Sequence, residues 1–565
     1  MPGSPRPVHP LLWSPVATYP TQTGSQVVPG LRCWGLESTF VSILSAAQVS
    51  TRRESVVRAL TSPDLAFIVD LVVWVEVDPD DPCGDPVAMA ASHRGRVRLH
   101  LDGRHEVCEG LDPIASEDPM AFLPYDRECA SPGPRNSWEN AYPYAASRIL
   151  SLFADPTRSP DVAVMHTPGH FFPEQGGHVG EHGSLDVIQS RAPLLLSGKG
   201  VAKRGFVSAH ARLVDVCPTL AALAGVPDAD LRDGGGDSLD GRVLTAYLGG
   251  EQLVQPKVIG VLWDGAHCGD LWHLAESGEL PGIARLIGNG VALRGGAVAH
   301  FPSVTLTNHA SILTGVGPGR HGVLGNVFYD RGTGEQVVAN DSAAWHRSAE
   351  WLRPGVRTVF EMVNSLVPQK DGRPRDSPQG DPPRTACVNE AVDRGADYST
   401  MAIIRDSGIS SGAGGLGDRL PDAAKSIHLH DRAHLDDSYY SWCTQVDDLG
   451  LEQMRQLWGS LESAPALTWW AGVVSDAGHH AGGPRSDIAR DSLRDSDSRL
   501  TSFLEHLDGL GITDEVTFLL TADHGFEGSD PTVTGSWRPA LERLDIPFRD
   551  EGPGFIYLLP DHDQT

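Results

Sequence analysis

The sequence predicts an α/β protein: a doubly wound, mostly parallel sheet with helices on both faces and an inserted cap region. Two observations predict it. Short apolar runs read as strands buried on both faces: AFIVDLVVWVEV (66–77), DVAVMH (161–166), APLLLSG (192–198), VIGVLWDG (258–265), TWWAGVVSD (468–476) and VTFLLTADHG (516–525). Stretches of helical period lie between them, among them PYAASRILSLFA (143–154) and DSLRDSDSRLTSFLEHLDGLG (491–511). Doubly buried strands alternating with helices are the pattern of a parallel sheet covered by two helical layers.

At 565 residues the chain is too long for one simple core, so it holds either several domains or a large α/β unit with insertions. Its 45 Lys and Arg stand against 73 Asp and Glu, a net charge of −28. That balance argues against a nucleic-acid polymer or an anionic membrane surface as partner. The 8 cysteines are scattered without a CxxC pair, so neither a disulfide framework nor a cysteine metal site is expected. The opening MPGSPRPVHPLLWSPVATYP lacks a basic start followed by an apolar run, and no apolar stretch is long enough to span a bilayer. A cytoplasmic location is the expectation. Residues 1–30 are expected to form a flexible arm, and 366–384 a polar Pro/Gly loop.

The strand ends carry the chemistry. VIGVLWD ends in Asp264, WWAGVVSD in Asp476 with His480 one helical turn on, and VTFLLTADH in Asp523 and His524. Ligands bind beyond the carboxyl ends of strands in open α/β sheets. Aspartate oxygen and histidine nitrogen are ligands for Zn²⁺ and similar ions, and two such ions close together clamp a phosphoryl group and activate a nucleophile. Taken singly, each acid also reads as a turn or helix-cap residue. The hydroxyl-rich FPSVTLTNHASILTG (301–315) reads either as a helix start or as the seat of a nucleophile.

Four pieces in order, VIGVLWDG, FPSVTLTNHASILTGVGPGRHGVLGN, SDAGHHAGGP and LTADHG, resemble the alkaline phosphatase superfamily, nearest its nucleotide pyrophosphatase/phosphodiesterase branch. The resemblance implies a threonine nucleophile at Thr305, selected over Thr307 by its spacing to Asn308 and His309, with Asn308 as a helper amide. It implies one metal held by Asp264, Thr305, Asp523 and His524, and another held by Asp476, His480 and a late histidine. The usual order of the DxxxH block is altered here, so His480 is the spacing match and His479 a competitor. A sulfatase is disfavoured, because that branch needs a cysteine where Thr305 stands. Zn²⁺ suits the ligand types best, with Mn²⁺ second. A threonine hydroxyl needs such activation, and backbone N–H groups at a helix start can hold phosphoryl oxygens.

The resemblance leaves one histidine unplaced. After His524 only His562 follows, in a tail too short to return. GGHVGEHGSLDVIQSRAPLLLSGKGV (176–201) resembles the family's terminal segment, RLVDVCPTLAALAGVP (212–227) its closing helix, and 237–250 its tail. The expectation is a circularly permuted chain. Residues 31–250 form the natural C-terminal half and 257–565 the natural N-terminal half, joined through 250–256. Permutation is tolerated where the original ends lie close together. His182 then completes the metal ligands, with His178, His166 and His170 as weaker alternatives. A separate domain over 1–250 is the rival arrangement.

Residues 326–467 are the expected substrate region. There Trp345, Trp351, Tyr439, Tyr440 and Trp442 could stack on a base, line an apolar leaving-group pocket or belong to the core. The implied activity is hydrolysis of small-molecule phosphate esters, foremost phosphodiesters or nucleotide pyrophosphates, through a phospho-threonine. A phosphomonoesterase or phosphonate hydrolase is the near alternative. A non-catalytic binding protein on a decayed phosphatase fold is the distant one.

Overall fold

The computed structural model describes residues 46–77, 84–131, 133, 139–171, 178–249, 256–340, 345–366, 382–406, 438–552 and 554–561. The expected arm at 1–30, most of the join at 250–256, most of the 366–384 loop and His562 lie outside the described residues.

The central sheet has eight strands in the order Tyr398–Ser399, Thr385–Val388, Leu467–Gly472, Val258–Trp263, Thr517–Thr521, Leu194–Gly198, Gly290–Leu293, Gly205–Val207. The first five run parallel, as do the last two with each other. Leu194–Gly198 alone runs antiparallel to both of its neighbours. The expected parallel strand at 192–198 is therefore corrected in direction. An apolar run records burial on both faces, and burial is the same whichever way the strand points.

Helices cover both faces, and two adjacent tryptophans show it. Successive strand side chains point to opposite faces. The Trp469 ring lies over Gly260 on the side of Leu220, from helix Val216–Leu223. Trp470 meets Phe503 of helix Asp487–Leu510 with ring centroids 5.7 Å apart. Gly260 makes the first contact possible, because a Cβ there would sit 2.2 Å from Trp469 Cε3. Gly260→Ala is expected to destabilise the protein by about 1–3 kcal/mol through overpacking, seen as a lower urea midpoint at unchanged slope. An unchanged midpoint would show that the ring moves aside freely.

A second, seven-stranded sheet was not expected. Its order is Phe548–Glu551, Phe555–Leu558, Val162–His166, Val69–Glu76, Val87–Ser92, Gly95–Leu99, His105–Gly110, and its pairings are antiparallel. The runs at 66–77 and 161–166 belong here, not to the parallel sheet. They pair directly with each other, and helices Ala46–Leu60 and Ala145–Leu152 pack on them, so both faces are buried as in a parallel strand.

Neither sheet respects the boundary at 250/257. Leu194–Gly198 lies between Thr517–Thr521 and Gly290–Leu293, and Phe555–Leu558 pairs with Val162–His166. The region 326–467 is likewise only partly an insertion. Its strands Thr385–Val388 and Tyr398–Ser399 extend the central sheet, because the apolar TACV run pairs with Leu467–Gly472. Among the described residues no helix is long and apolar enough to cross a membrane, and the described cysteines are free thiols.

Candidate active site

Three parallel strands stop level at one edge of the central sheet: Trp263 is paired with Gly472, and Leu262 with both Ala471 and Thr521. Asp264 follows the first strand directly. Gly265 then turns at φ +61°, and its N–H donates to Asp523 Oδ1 at 2.9 Å. Glycine is needed here, because a Cβ would meet the Phe526 ring at 2.4 Å. Asp476 and His480 lie one turn apart on helix Val474–Gly482 and so share a face. His182 follows the short strand Gly180–Glu181, which pairs with Glu527–Gly528 just past His524. This pairing draws His182 to a site whose other members come from the second half of the chain.

Six of the seven side chains expected at the centre, all but Thr305, are brought into one region by direct contacts. His524 Nε2 is 3.2 Å from Asp523 Oδ2 and 3.6 Å from Asp264 Oδ1. His480 Nε2 is 3.5 Å from Asp476 Oδ1. His182 Nε2 is 3.3 Å from His480 Nε2 and 3.9 Å from Asp476 Oδ1. The His182 and His524 rings stack with centroids 3.6 Å apart. The ligand atoms of Asp264, Asp523 and His524 lie within 4.8 Å of one another, as do those of His182, Asp476 and His524.

The imidazoles are oriented from behind. Nδ1 of His182 contacts the Ser303 carbonyl at 2.9 Å, that of His480 the Gly180 carbonyl at 2.9 Å, and that of His524 the Gly525 carbonyl at 3.0 Å. A carbonyl only accepts, so each Nδ1 carries the proton and each Nε2 turns a lone pair toward the acids. Asp264 Oδ1, Asp476 Oδ1, Asp523 Oδ2 and His524 Nε2 are buried with no hydrogen-bond partner. Leaving such groups unpaired costs about 1–3 kcal/mol each, more when charged. An oxygen and nitrogen donor set with these orphaned atoms fits divalent cations of the Zn²⁺ or Mn²⁺ type.

The electrostatics agree. Burial, then the neighbouring Asp523 and Asp476, push the Asp264 carboxyl well above the usual range. Burial chiefly raises Asp476 to about 7. Burial also acts to raise Asp523, but His524, His309 and the Gly265 amide overcome it and hold this carboxyl low. Burial lowers His480 to about 4, and burial with His524 and His480 lowers His182 far below its usual value, so both imidazoles are neutral.

Thr305 is the first residue of helix Thr305–Thr314, which is buried throughout. His309, one turn later on the same face, has Nε2 3.6 Å from Asp523 Oδ2 and 3.8 Å from Asp264 Oδ2. Ser303, two residues before Thr305, carries the carbonyl that orients His182. Thr305 therefore starts the helix on the face that carries His309 to the acids, whereas Thr307 is on another side of the helix. No side chain caps the helix start from Val304.

Asn308 is corrected. Its Oδ1 accepts from the His300 N–H at 2.7 Å, and its Nδ2 donates to the Pro302 and Val304 carbonyls at 3.1 Å each. The amide is spent on shaping the loop before Thr305 and has nothing left for a substrate. Asn326 was overlooked: its Oδ1 accepts from the Leu306 N–H at 3.2 Å, placing a half-buried amide at the helix start. Glu390 was also missed. It is buried 2.9 Å from His309 Nδ1 and accepts from Trp469 Nε1 at 3.0 Å. No local motif announces it, and only the fold brings it beside His309.

The competing histidines fall elsewhere. His479 stacks on Phe526, whose other ring neighbours are His182, His480 and His524, and its Nδ1 donates to Ser475. His166 ends a strand of the second sheet, contacts His170 four residues on and lies against Trp537. His178 lies beside His480, outside the central cluster. Tyr440 is core, its hydroxyl bonded to Asp495 at 2.9 Å. Trp345 and Trp351 are half-buried. Tyr439 is 51% exposed and stacks with Trp442 at 6.2 Å. Burial, then the nearby Cys443, Asp476 and Asp264, raise its phenol.

Comparison with known proteins gives partial overlaps. An uncharacterized pyrophosphatase/phosphodiesterase of Schizosaccharomyces pombe is 30% identical over 127 residues, 21% of this chain and 25% of that protein. The alkaline phosphatase PafA of Elizabethkingia meningoseptica is 30% identical over 99 residues, 17% of this chain and 18% of its own length. The matches thus span a quarter or less of these relatives. Murine ectonucleotide pyrophosphatase/phosphodiesterase 5 overlaps 55% of this chain and 67% of its own, at 15% identity and a TM-score of 0.36. The phosphonoacetate hydrolase of Sinorhizobium meliloti overlaps 49% and 58%, at 23% identity and a TM-score of 0.30. The family described as type I phosphodiesterase / nucleotide pyrophosphatase matches residues 258–564. That match runs from the strand delivering Asp264 past the Asp523–His524 pair and covers more than half of the sequence, so the chain belongs to the type I phosphodiesterase / nucleotide pyrophosphatase family.

Proposed function

We propose that the protein hydrolyses phosphate esters, foremost phosphodiesters or nucleotide pyrophosphates, at a two-metal site with Thr305 as nucleophile. The observation that carries this reading is the set of buried, unpartnered atoms of Asp264, Asp476, Asp523 and His524 beside the start of the Thr305 helix. Asp264, Asp523 and His524, with Thr305, hold one ion, and Asp476, His480 and His182 the other. Zn²⁺ is the best fit by donor type. When bound, the ions favour the ionised Thr305 hydroxyl and offset charge on the phosphoryl oxygens.

Thr305 Oγ1 bonds to phosphorus as the ester oxygen leaves with a proton from solvent, giving a phospho-threonine. Water then attacks phosphorus, its proton returns to Thr305, and phosphate or a phosphomonoester departs. The N–H groups at the helix start other than that of Leu306, with Asn326 Nδ2, hold the phosphoryl oxygens. The Tyr439–Trp442 pair receives a planar or apolar part of the substrate.

We also propose that the chain is a circular permutation, with residues 31–250 as the natural C-terminal half. The position of His182 and the interleaving of Leu194–Gly198 in the central sheet support it.

Turnover of a thymidine p-nitrophenyl diester and of p-nitrophenyl phosphate, with Zn²⁺ and after chelation, tests the function. The diester is expected to exceed the monoester by about tenfold or more in kcat/KM, ~1.4 kcal/mol in barrier, and chelation to abolish both. The reverse preference would make the protein a phosphomonoesterase. Metal binding with neither turned over would point to a phosphonate, and neither metal nor turnover to a decayed fold.

A further inference from the structure

Beside the central cluster stands a third group of metal-ligating side chains, two of which, His178 and Glu181, the proposed reaction does not use. His178 Nδ1 is 3.3 Å from Glu181 Oε1, and the His178 ring lies 4.2 Å from that of His480. Ligand atoms of His178, Glu181 and His480 lie within 4.8 Å of one another. Glu181 Oε1 is buried and accepts no hydrogen bond. Two imidazoles and a carboxylate are a zinc-type donor set.

This group is linked to the others by shared members. His480 belongs to it and also lies 3.5 Å from Asp476. Asp476 and His182 form a group with His524, and His524 forms the innermost one with Asp264 and Asp523. Side-chain exposure falls along the same series. His178 is 38% exposed, His480 13% and Glu181 12%, then Asp476 11% and His182 8%, then Asp264 8%, and His524 and Asp523 0%. Innermost Asp523 and His524 are thus closed to solvent, and an ion reaching them must shed its water. His480 Nδ1 is committed to the Gly180 carbonyl, so its Nε2 serves either the outer group or Asp476, one at a time.

We propose that His178, Glu181 and His480 form an outer cation site through which divalent metal ions enter and leave the two-metal centre. It is occupied in passing: His480 hands the ion to Asp476 and His182, and His178 and Glu181 then fall free. The proposal rests on the two-metal reading of the central site.

The test is Zn²⁺ uptake by full-length, chelator-stripped protein, followed by stopped flow, with equilibrium dialysis for stoichiometry. Wild type is compared with Glu181→Gln, His178→Ala and the distant Glu515→Gln, which removes an equal charge from an exposed carboxylate paired with Lys199. Wild type and all variants are expected to hold two ions per chain. Glu181→Gln and His178→Ala should fill about tenfold more slowly and release to chelator more slowly in proportion, since one path serves both directions, whereas Glu515→Gln keeps the wild-type rates. Wild-type rates in the two site variants would overturn the proposal. So would equal slowing in Glu515→Gln, which would make the effect long-range attraction of the ion. Loss of an ion at equilibrium from Glu181→Gln or His178→Ala would overturn it too, as these would then be permanent ligands. A wild type holding fewer than two ions would instead sink the two-metal reading itself.

Discussion

Thr305→Ala is expected to lower kcat for every phosphate ester the protein cleaves by on the order of 10³-fold or more, ~4 kcal/mol in barrier, with both ions still bound. The substitution deletes the one oxygen that leads the helix start toward the acids, and it leaves Asp264, Asp476, Asp523 and the three imidazoles intact. Thr307→Ala is the matched control, because Thr307 lies on the same helix but faces away, and its loss is expected to leave kcat within a few fold. Steady-state kinetics with metal analysis on the same samples checks both. Phosphate retained on acid-quenched wild type, and absent from Thr305→Ala, would identify the covalent step. If Thr305→Ala keeps wild-type turnover, water attacks phosphorus directly and the threonine reading fails.

Asp523→Ala is expected to have the next largest effect, loss of one ion per chain and again on the order of 10³-fold in kcat. Asp523 is held in place by the Gly265 N–H, approached by His309, and adjacent to His524. It is the carboxyl held low, whereas its neighbour Asp264 is pushed up. Asp523 therefore offers a charged ligand before any ion arrives, and without it Asp264, His524 and Thr305 are one donor short of a four-coordinate shell. Metal content after dialysis and turnover over a range of Zn²⁺ concentrations separate the cases. Restoration of full activity by excess Zn²⁺ would reduce Asp523 to tuning affinity. Two ions retained at normal affinity would remove it from the ligand set.

Much of the central sheet was legible in the sequence, because strands such as Val258–Trp263 and Thr517–Thr521 are buried on both faces and read as unbroken apolar runs. Direction was not legible: Leu194–Gly198 has the same apolar signature and runs the other way. The second sheet escaped because the exposed edge strand His105–Gly110 and the polar Gly95–Leu99 carry little hydrophobic signal, and its opposite edge, Phe548–Glu551 and Phe555–Leu558, comes from the far end of the chain. In the site, the acids and histidines after the strands and in the DxxxH spacing were legible as candidates, and the family resemblance selected them. Asn308 was misjudged because spacing says which residues are neighbours along a helix, not which hydrogen bonds consume an amide. Glu390 and Asn326 become visible only when distant segments meet at His309 and Leu306.

The interleaved sheets also bear on how the protein is made. Leu194–Gly198 leaves the ribosome with neither of its neighbours yet synthesised, and the last of them, Thr517–Thr521, comes more than half a chain later. Val162–His166 waits longer still for Phe555–Leu558. Domains usually fold as they emerge, but here the nascent first half carries unsatisfied apolar edges until translation is nearly over. Such long-range pairing folds slowly and is exposed to aggregation meanwhile. Yield on expression should therefore depend on chaperone supply and on translation speed through the final strands.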